Sequence, residues 1–514
     1  MRRSAFKTGP VKIATVAALI LAATGLFAIL SVLVRGLGAV PGVIRADWDV
    51  ALTTLELVSL GLALSLLIGG GLALLTWLAR LPTAADLLVS VSYLIPPFIG
   101  ATAWLAALGP GNVFTGQTIL PVYSPFGIVL AWVTHYAPLA YLLIRAALST
   151  QGEGPLLAAR VHGLSSAQGL RRVVLPLIWP GVGAAAALIG LSLLGNFGVP
   201  AVLGFPAKIY TLATLAYARL LNPTLVDPLS AASGVAWLLV VAALPALLIR
   251  PGMQATDPAS DFGLPAPRRL RRLAWAAVGV WIFISLVLPL SATLLLAFKP
   301  AYRPGFTLEN FTGALALDSV RRGLWHSVWL ALGTAAICAL LGLWIARAGQ
   351  GSRLAGAAQR LLTLPYLLPG TLLALGLILA FGRTALYATP LFLMLAYLLR
   401  FLAPGVEGGR GAATPGAATL EFAARLHGVR RWPIFWRVTL PLARPHLVAS
   451  FLVIYPLALS EVTLSALLYA PGAETAGVGI LNLLSEGSLR GAAALATLLL
   501  LLSLPTLLVP RGRA

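Results

Sequence analysis

The sequence predicts an all-α integral membrane protein in which twelve transmembrane helices form two tandem six-helix halves. Of its 514 residues, 59% are hydrophobic and only 10% are charged, and the mean hydropathy is +0.93. That balance excludes a string of soluble domains and a disordered chain. Apolar runs of suitable length and one motif that occurs twice complete the case for this fold class.

Twelve runs are long and apolar enough to cross a hydrocarbon core of about 30 Å, which takes roughly 20 helical residues. In the first half they lie near residues 13–34, 51–78, 87–108, 126–148, 174–199 and 229–249. In the second half they lie near residues 273–298, 328–345, 361–381, 389–402, 441–468 and 491–509. The first run follows a basic stretch but is too long for a signal peptide, so we interpret it as an uncleaved anchor.

The charge distribution predicts the orientation of these spans. The 36 Lys and Arg residues outnumber the 15 Asp and Glu residues, and the formal net charge is +21. Most of the basic residues fall at the two termini and in every second loop. Because basic loops stay on the cytoplasmic side of a membrane, both termini are predicted to be cytoplasmic.

The chain contains an internal repeat. Residues 157–163 read Leu-Ala-Ala-Arg-Val-His-Gly, and residues 422–428 read Phe-Ala-Ala-Arg-Leu-His-Gly. Leu-Pro pairs at 175–176 and 440–441 keep the same separation between the copies, which we call the motif offset. Weaker matches begin at residues 77 and 344, 93 and 366, and 140 and 396, at slightly different offsets. This pattern predicts a parallel duplication, with a first half at 1–250, a cytoplasmic linker at 251–272 and a second half at 273–514.

Each copy of the motif lies between the fourth and fifth spans of its half, within residues 150–176 and 415–441, on the predicted cytoplasmic side. The residues before the glycine favour a helix, the glycine can end it in a left-handed conformation, and the proline can open the next membrane helix. We therefore expect two short helices at an angle to each other along the membrane surface. The small Ala-Ala side chains give the first of them a surface with little protrusion, which can enter a groove on a soluble partner. The alternative is an amphipathic segment on lipid headgroups, which would not require two copies with equal spacing.

These residues resemble a known family. Permease subunits of bacterial ATP-binding-cassette (ABC) importers carry Glu-Ala-Ala, three residues, Gly, nine residues and then Ile-x-Leu-Pro, and this chain has close versions at 157–176 and 422–441. The resemblance covers essentially the whole chain, because fused versions occur among ferric-iron, thiamine and aminoethylphosphonate permeases. It implies the type I ABC importer transmembrane-domain fold and a location in the cell inner membrane. It also implies two copies of a cytoplasmic ABC ATPase and a periplasmic or lipid-anchored solute-binding protein as partners.

The resemblance further implies that the two motif copies dock into clefts of the ATPase subunits. Leu157 and Phe422 stand where the motif has its leading Glu, and Glu421 sits beside the second copy. We expect Glu421 to substitute for the missing Glu in that copy only, which would make docking mildly asymmetric. The residues expected to carry docking are Leu157, Ala158, Ala159, Arg160, Gly163, Leu175 and Pro176, and Glu421, Phe422, Ala423, Ala424, Arg425, Gly428, Leu440 and Pro441.

No catalytic site is predicted, so the chain is not expected to be an enzyme. Lysine occurs only at positions 7, 12, 208 and 299, never after glycine, so the Gly-Lys-Ser/Thr of a phosphate-binding loop is missing. The five histidines are scattered and Cys338 is the single cysteine, so we expect no metal site, no intrachain disulfide and no cofactor. ATP hydrolysis is therefore expected on a separate polypeptide.

Ionisable groups inside membrane spans are costly and mark candidate functional positions. Glu461 is the clearest, and Asn196 is its mate in the first half at the motif offset. Both are expected to line the translocation path. The alternative is that each side chain forms hydrogen bonds with free backbone groups, at a helix break or nearby, and does not contact the solute. Pro-rich breaks at residues 95–97 and 365–369 are expected to open or interrupt the third span of each half. Such breaks either lie beside the translocation path or serve the packing of the membrane helices.

The substrate is predicted from resemblance alone. Residues 196–204 and 461–468 are similar to ferric-iron permeases, so ferric iron is the first expectation, with aminoethylphosphonate or thiamine as alternatives. A twelve-span secondary transporter is a further alternative, but such a carrier needs acid or base relays in several spans, and Glu461 is almost the only candidate here. A membrane scaffold or secretion component would not need paired docking loops.

Overall fold

The computed structural model describes residues 9–151, 154–248, 266–351, 353–413 and 415–504. Within these ranges the chain folds into helices and contains no β-strand. The all-α fold class is therefore confirmed. Residues 251–265 of the predicted linker and residues 505–509 of the predicted twelfth span lie outside the described residues.

The helices of the first half carry six predicted spans and the first motif copy. Their bounds are α1 (Gly9–Leu37), α2 (Val40–Leu78), α3 (Thr83–Val91), α4 (Pro97–Leu108), α5 (Pro125–Gln151), α6 (Gly154–Val161), α7 (Ser166–Gly169), α8 (Leu175–Leu194), α9 (Gly198–Leu203), α10 (Leu212–Leu220) and α11 (Pro228–Leu248). A kink at Asp47 interrupts α2, because the backbone leaves the helical region there. A π-helical stretch, Leu170–Val174, joins α7 to α8.

The helices of the second half follow the same plan. Their bounds are α12 (Arg268–Ile282), α13 (Leu288–Phe298), α14 (Glu309–Ala316), α15 (Asp318–Gly351), α16 (Arg353–Leu362), α17 (Leu364–Leu367), α18 (Gly370–Phe381), α19 (Pro390–Ala412), α20 (Pro415–Leu426), α21 (Arg431–Ile434), α22 (Leu440–Leu459), α23 (Thr463–Leu467), α24 (Ala476–Ser485) and α25 (Leu489–Ser503). π-Helical stretches also join α12 to α13, at Phe283–Val287, and α21 to α22, at Phe435–Thr439.

Among the described residues, nine helices are long and apolar enough to cross a membrane, and two bent helix pairs raise the number to eleven. These correspond one by one to the first eleven predicted spans. The predicted twelfth span corresponds to α25, whose 15 described residues are fewer than the roughly 20 that a crossing takes. The chain is thus a multi-pass membrane protein, and the count of twelve stays a prediction.

The third span of each half is bent, as the proline breaks predicted. The axis turns by 85° between residues 83–94 and α4, and by 109° between residues 353–367 and α18. Pro96 and Pro369 occupy the residue before each outgoing helix, both with extended ψ angles. Proline lacks the amide proton that would continue the incoming helix and disfavours helical geometry in the residue before it, which accounts for the two bends.

Backbone contacts divide the described chain into two compact units, and each takes helices from both halves of the sequence. One unit combines residues from 1–43, 216–237 and 311–514, and within it α1 packs against α15, α16 and α18. The other combines 44–215 and 238–310, and within it α13 packs against α4 and α12 against α3. The first span of each half therefore packs among spans of the other half. The division at 250 and 273 stays a prediction about the duplication.

Equivalent contacts within each unit correct one repeat match. In α5, the His135 ring donates to the carbonyl of Ile95 (Nδ1 to O 2.9 Å), and in α19 the Arg400 guanidinium donates to the carbonyl of Leu368. Ile95 and Leu368 are separated by the offset of the third-span match, whereas His135 and Arg400 are separated by the motif offset. The fourth spans thus correspond at the motif offset, and the match at residues 140 and 396 is wrong.

Candidate functional site

The first motif copy forms an elbow, residues 154–175, in which α6 ends at a left-handed glycine. Gly163 has a φ of +79°. Its amide bonds to the carbonyl of Arg160 (3.0 Å), and the amide of Leu164 bonds to the carbonyl of Ala159 (3.0 Å). This pair of bonds is a Schellman cap, which satisfies the last carbonyls of α6. The outgoing helix then starts with a capping box between Ser165 and Gln168.

The second motif copy forms the same elbow, residues 415–440. Gly428 has a φ of +74°, and its amide bonds to the carbonyl of Arg425 (3.0 Å). The amide of Val429 bonds to the carbonyl of Ala424 (3.1 Å). The predicted left-handed exit from the helix is therefore confirmed in both copies, with the same two bonds.

One feature of the elbows differs from the prediction. The outgoing helix is not a separate short helix, because α7 and α21 continue through π-helical stretches into α8 and α22. The amide of Leu175 bonds five residues back, to Leu170, and the amide of Leu440 bonds to Phe435. The next residue in each copy is a proline, which has no amide to complete the ordinary α-helical bond, so the turn before it can widen.

Each elbow exposes a mixed apolar and basic surface. Val161 is 85% exposed, and its repeat mate Leu426 is 72% exposed. The surface-facing docking candidates are Ala158, Arg160, Gly163, Leu175 and Pro176 in the first copy and Phe422, Ala423, Arg425, Gly428 and Pro441 in the second. Leu157, Ala424 and Leu440 are partly buried, and Ala159 is buried. Apolar side chains this exposed, next to arginines, are typical of a contact surface for another molecule.

Glu421 does not belong to that surface, which corrects its expected role at the ATPase. The residue is only 4% exposed. Its carboxylate accepts hydrogen bonds from the Arg347 guanidinium and from the Thr439 hydroxyl (2.7 Å), and Arg425 lies 3.6 Å away. The sequence could not show this, because Arg347 is 74 residues distant and Thr439 is 18 residues distant. Glu421 therefore holds the elbow to the rest of its unit.

The two path candidates occupy matching places at the ends of α8 and α22. The Asn196 side-chain oxygen accepts from the amide of Val199 (3.1 Å), and the Glu461 carboxylate accepts from the amide of Leu464 (2.9 Å). Each side chain thus caps the next short helix, three residues on. The Asn196 amide group also donates to the Tyr136 hydroxyl (3.2 Å). Both residues thus cap a short helix, and a place for either of them in the translocation path stays a prediction.

Two polar pairs that the sequence reasoning missed join the third and fourth spans of each half. Arg145 lies 3.3 Å from Asp86, and Asp86 also accepts from the Tyr141 hydroxyl (2.5 Å). In the second half, Arg410 donates to the side-chain oxygen of Gln359 (3.1 Å). Arg145 and Arg410 are mates at the motif offset, and both lie shortly before an elbow. That shared offset was the signal in the sequence that could have identified them.

A group of three or more His, Cys, Asp or Glu side chains placed to hold a metal ion is not found among the described residues. Cys338 is buried in α15. The side chains that converge near the bent span of the second half are Arg400, Glu461, Tyr397 and Ser465. They can donate and accept hydrogen bonds.

The fold and the paired elbows define a class, the membrane-embedded permease of a transport system. Comparison with known proteins gives the family. The family model described as "Binding-protein-dependent transport system inner membrane component" matches residues 339–510. The chain belongs to this family of ABC transporter permeases. It shares the family's type I ABC importer permease fold.

Three relatives show how far the similarity extends. "Probable ABC transporter permease protein y4fN" of Sinorhizobium fredii is 27% identical over 402 residues, which are 72% of this chain and 67% of that protein. "Putative 2-aminoethylphosphonate transport system permease protein PhnV" of Salmonella paratyphi A is 26% identical over 234 residues, 44% of this chain and 86% of that protein. "Molybdenum transport system permease protein ModB" of Azotobacter vinelandii is 33% identical over 172 residues, 31% of this chain and 75% of that protein.

Proposed function

We propose that this chain forms the translocation path of an ABC importer, with one permease half for each of two copies of a cytoplasmic ATPase. The observation that carries the proposal is the pair of elbows. Both copies have the same Schellman cap, the same π-helical entry into the next span and exposed apolar and basic residues at matching positions. A segment that only rested on lipid would not need this repeated geometry.

Orientation follows from the same proposal. The elbows face the cytoplasm with both termini, in agreement with the excess of Lys and Arg on that side. A solute-binding protein delivers the solute to the opposite face. ATP binding and hydrolysis take place on the partner, and the elbows transmit the movement of the ATPase into the spans that open and close the path.

For the solute, we propose a small oxyanion, such as a phosphonate or molybdate. Two relatives carry 2-aminoethylphosphonate and molybdenum in their names. The phosphonate group is an oxyanion, and molybdenum in neutral water is one as well. The relatives reported above do not name iron, so ferric iron stays a prediction from sequence resemblance. Arg400 places a guanidinium, the preferred partner of such anions, beside the bent span of the second half.

Of the two path candidates, Glu461 is more accessible to a solute than Asn196. Glu461 is partly exposed and interacts electrostatically with Arg400. Asn196 is 8% exposed, and both ends of its amide are hydrogen-bonded within the protein. We therefore propose that Glu461 and Arg400 border the path and that Asn196 supports it from behind.

Uptake into proteoliposomes tests the proposal. The chain is reconstituted with the ATPase and the solute-binding protein of its transport system, and uptake of radiolabelled 2-aminoethylphosphonate, molybdate and ferric iron is compared with and without ATP. ATP-dependent uptake of either oxyanion supports the proposal. Uptake of iron alone would overturn the substrate class, and ATP-independent uptake driven by an ion gradient would overturn the importer itself. Glu461→Gln with unchanged uptake would remove Glu461 from the path.

A further inference from the structure

An open groove with an ion pair at one end lies beside the first span, and its volume is about 580 Å³. Its walls come from α1 and from the start of α11, which belong to the same compact unit. The lining residues that matter most are Phe27, Leu30, Val34 and Arg35 on the side of α1, and Asp227 and Ser230 on the side of α11.

Three apolar side chains of α1 form one long wall of this groove. Phe27 is 60% exposed, Leu30 is 48% exposed and Val34 is 78% exposed. Their spacing of three and four residues places them in a row along one face of the helix. The mean hydropathy of this candidate span is 2.6. An exposed apolar face on such a span lies against the hydrocarbon chains of lipids.

The two charges lie at the end of this apolar row. Arg35 donates to Asp227 (Nη2 to Oδ2 2.7 Å), and both side chains are nearly half exposed. The candidate span Ile13–Leu37 has 25 residues. At about 1.5 Å per residue it extends roughly 37 Å, whereas the hydrocarbon core of a bilayer is about 30 Å thick. Arg35, close to the end of the span, therefore lies at the level of the lipid headgroups.

Hydrogen bonds hold α1 and α11 together around the ion pair. The Ser230 hydroxyl donates to the carbonyl of Arg35 (3.2 Å), and the Trp237 indole donates to the carbonyl of Leu33 (2.7 Å). The Asp227 carboxylate also accepts from the amide of Ser230 (3.0 Å) and so caps α11. The fold itself thus sets the positions of the two charges.

Both charged groups can take a further partner. A guanidinium has several N–H donors, in a geometry that suits a phosphate, and an ionised carboxylate has several acceptor positions. A ligand that is complementary to both groups carries a phosphate and, a few bonds away, an ammonium group that donates hydrogen bonds. The apolar wall adds a third requirement, which is a hydrocarbon chain attached to the phosphate.

We propose that this groove binds phosphatidylethanolamine, with the lipid phosphate on Arg35, the ammonium group on Asp227 and an acyl chain along the apolar wall. The lipid then fastens α1 to α11 from the membrane side. A phosphatidylcholine headgroup carries the same charges, but its trimethylated ammonium has no N–H to donate to Asp227. A phosphatidylglycerol headgroup carries no cation for this carboxylate. The inference is independent of the solute that the importer carries.

Photolabelling in bilayers of defined composition tests the proposal. The full-length chain is placed in phosphatidylcholine nanodiscs with a trace of phosphatidylethanolamine that carries a photoreactive group in its acyl chain. Mass spectrometry then compares labelling of the groove, at residues 27–34, with labelling of residues 280–287, where exposed apolar side chains provide a control face. The competitors are unlabelled phosphatidylethanolamine, phosphatidylglycerol and soluble 2-aminoethylphosphonate, which has the same two charges and no acyl chain.

The predicted result is preferential labelling of residues 27–34. Phosphatidylethanolamine should displace this label at a concentration about tenfold lower than phosphatidylglycerol, which is the usual effect of a hydrogen bond between charged groups. Both lipids should affect residues 280–287 equally. Asp227→Asn keeps the size of the side chain and the helix cap, but it should remove the difference between the two lipids. Arg303→Gln, which breaks another exposed ion pair, should behave as wild type.

Several results would overturn the inference. Equal labelling of the two stretches, or equal displacement by the two lipids, would reduce the groove to ordinary contact with bulk lipid. Displacement by soluble 2-aminoethylphosphonate would indicate a site for a solute instead of a lipid. A wild-type lipid preference in Asp227→Asn would remove the carboxylate from the site. If Asp227→Asn does not accumulate, the competition between the two lipids in the wild type decides alone.

Discussion

Two glycines set the shape of the elbows at the scale of single residues. Gly163 and Gly428 have positive φ angles, and in each case an added Cβ would meet no atom within 4 Å. Their glycine identity is therefore required by backbone conformation and not by space. The sequence motif placed both glycines correctly, because a helix that ends in a Schellman cap has few alternatives at this position.

Replacement of Gly428 by valine should weaken the second elbow. A β-branched residue in the left-handed region costs about 1–2 kcal/mol, so the last turn of α20 should open more often. Hydrogen exchange at the amides of Gly428 and Val429 should accelerate, and less ATPase should copurify. Gly428→Asn should stay close to wild type, since asparagine tolerates this region. Gly279→Ala, at a helical position with open space, serves as the control. Normal exchange in Gly428→Val would contradict the role of the cap.

The hydrogen bonds of Glu474 predict that the stability of the folded protein depends on pH. It lies in the loop before α24, where burial opposes its charge, but hydrogen bonds from Arg322 and from the amide of Gly472 outweigh burial and lower the pKa of Glu474 below its ordinary value of 4.5. The charged form therefore stabilises the fold above that value, and this contribution is lost as the pH falls through the lowered pKa.

Thermal unfolding of the purified protein between pH 7 and pH 3 measures this effect. The wild type should have a higher Tm than Glu474→Gln at pH 7, and the difference in Tm should narrow as the pH falls below the ordinary pKa of 4.5 for this carboxyl group. A gap that is constant across the whole range would show that the charge of Glu474 contributes nothing.

At the scale of elements, the bends in the third spans were predictable, but the hydrogen bonds that connect these bends to the fourth spans were not. Proline pairs at 96–97 and 365–369 stop a helix by a local rule, so the sequence could locate both bends. The capping groups His135 and Arg400 come from the next span, and a local pattern does not show which carbonyl they reach. The incorrect match at 140 and 396 arose for this reason. It rested on four identical residues, Ala-Tyr-Leu-Leu, whereas the contacts that relate the two spans are visible only in the structure.

Arg400→Met should loosen the bend of the second half. The guanidinium donates to the carbonyls of Pro365 (2.7 Å) and Leu368, and its removal leaves these groups unsatisfied at a cost of about 1–3 kcal/mol each. The Tm should fall for Arg400→Met and fall less for Arg400→Lys, which keeps one donor group. Arg383→Met, at an exposed arginine in the same half, is the control. Equal Tm values for Arg400→Met and wild type would contradict this account of the bend.

At the scale of the whole molecule, the exchange of first spans between the halves could not be predicted. The apolar run of α1 shows that it crosses a membrane, but one apolar face can pack against many others. In the structure α1 packs within one unit against α15, α16 and α18, which all belong to the second half of the sequence. The repeat predicted two sets of equivalent spans, and tertiary packing decided which spans share a unit.

This packing predicts what happens when the chain is split. Fragments 1–257 and 258–514, expressed together, should copurify as a pair. Fragments 39–257 and 258–514 lack α1, so the second fragment should be degraded or should aggregate, because the faces of α16 and α18 that α1 covers are left open. Quantitative blotting of membrane fractions measures both pairs. A stable 258–514 fragment without α1 would contradict the assignment of α1 to that unit.

The central claim is that the two elbows are the places where the ATPase binds, and site-specific photo-crosslinking tests it most directly. A photoreactive amino acid is introduced at Val161 or at Leu426, the exposed mates of the two elbows, and at the fully exposed Val226 as a control on the opposite side of the proposed membrane orientation. Crosslinks to the ATPase from positions 161 and 426, and none from 226, are the predicted result. Lipid adducts alone at 161 and 426, or an ATPase crosslink from 226, would contradict the claim.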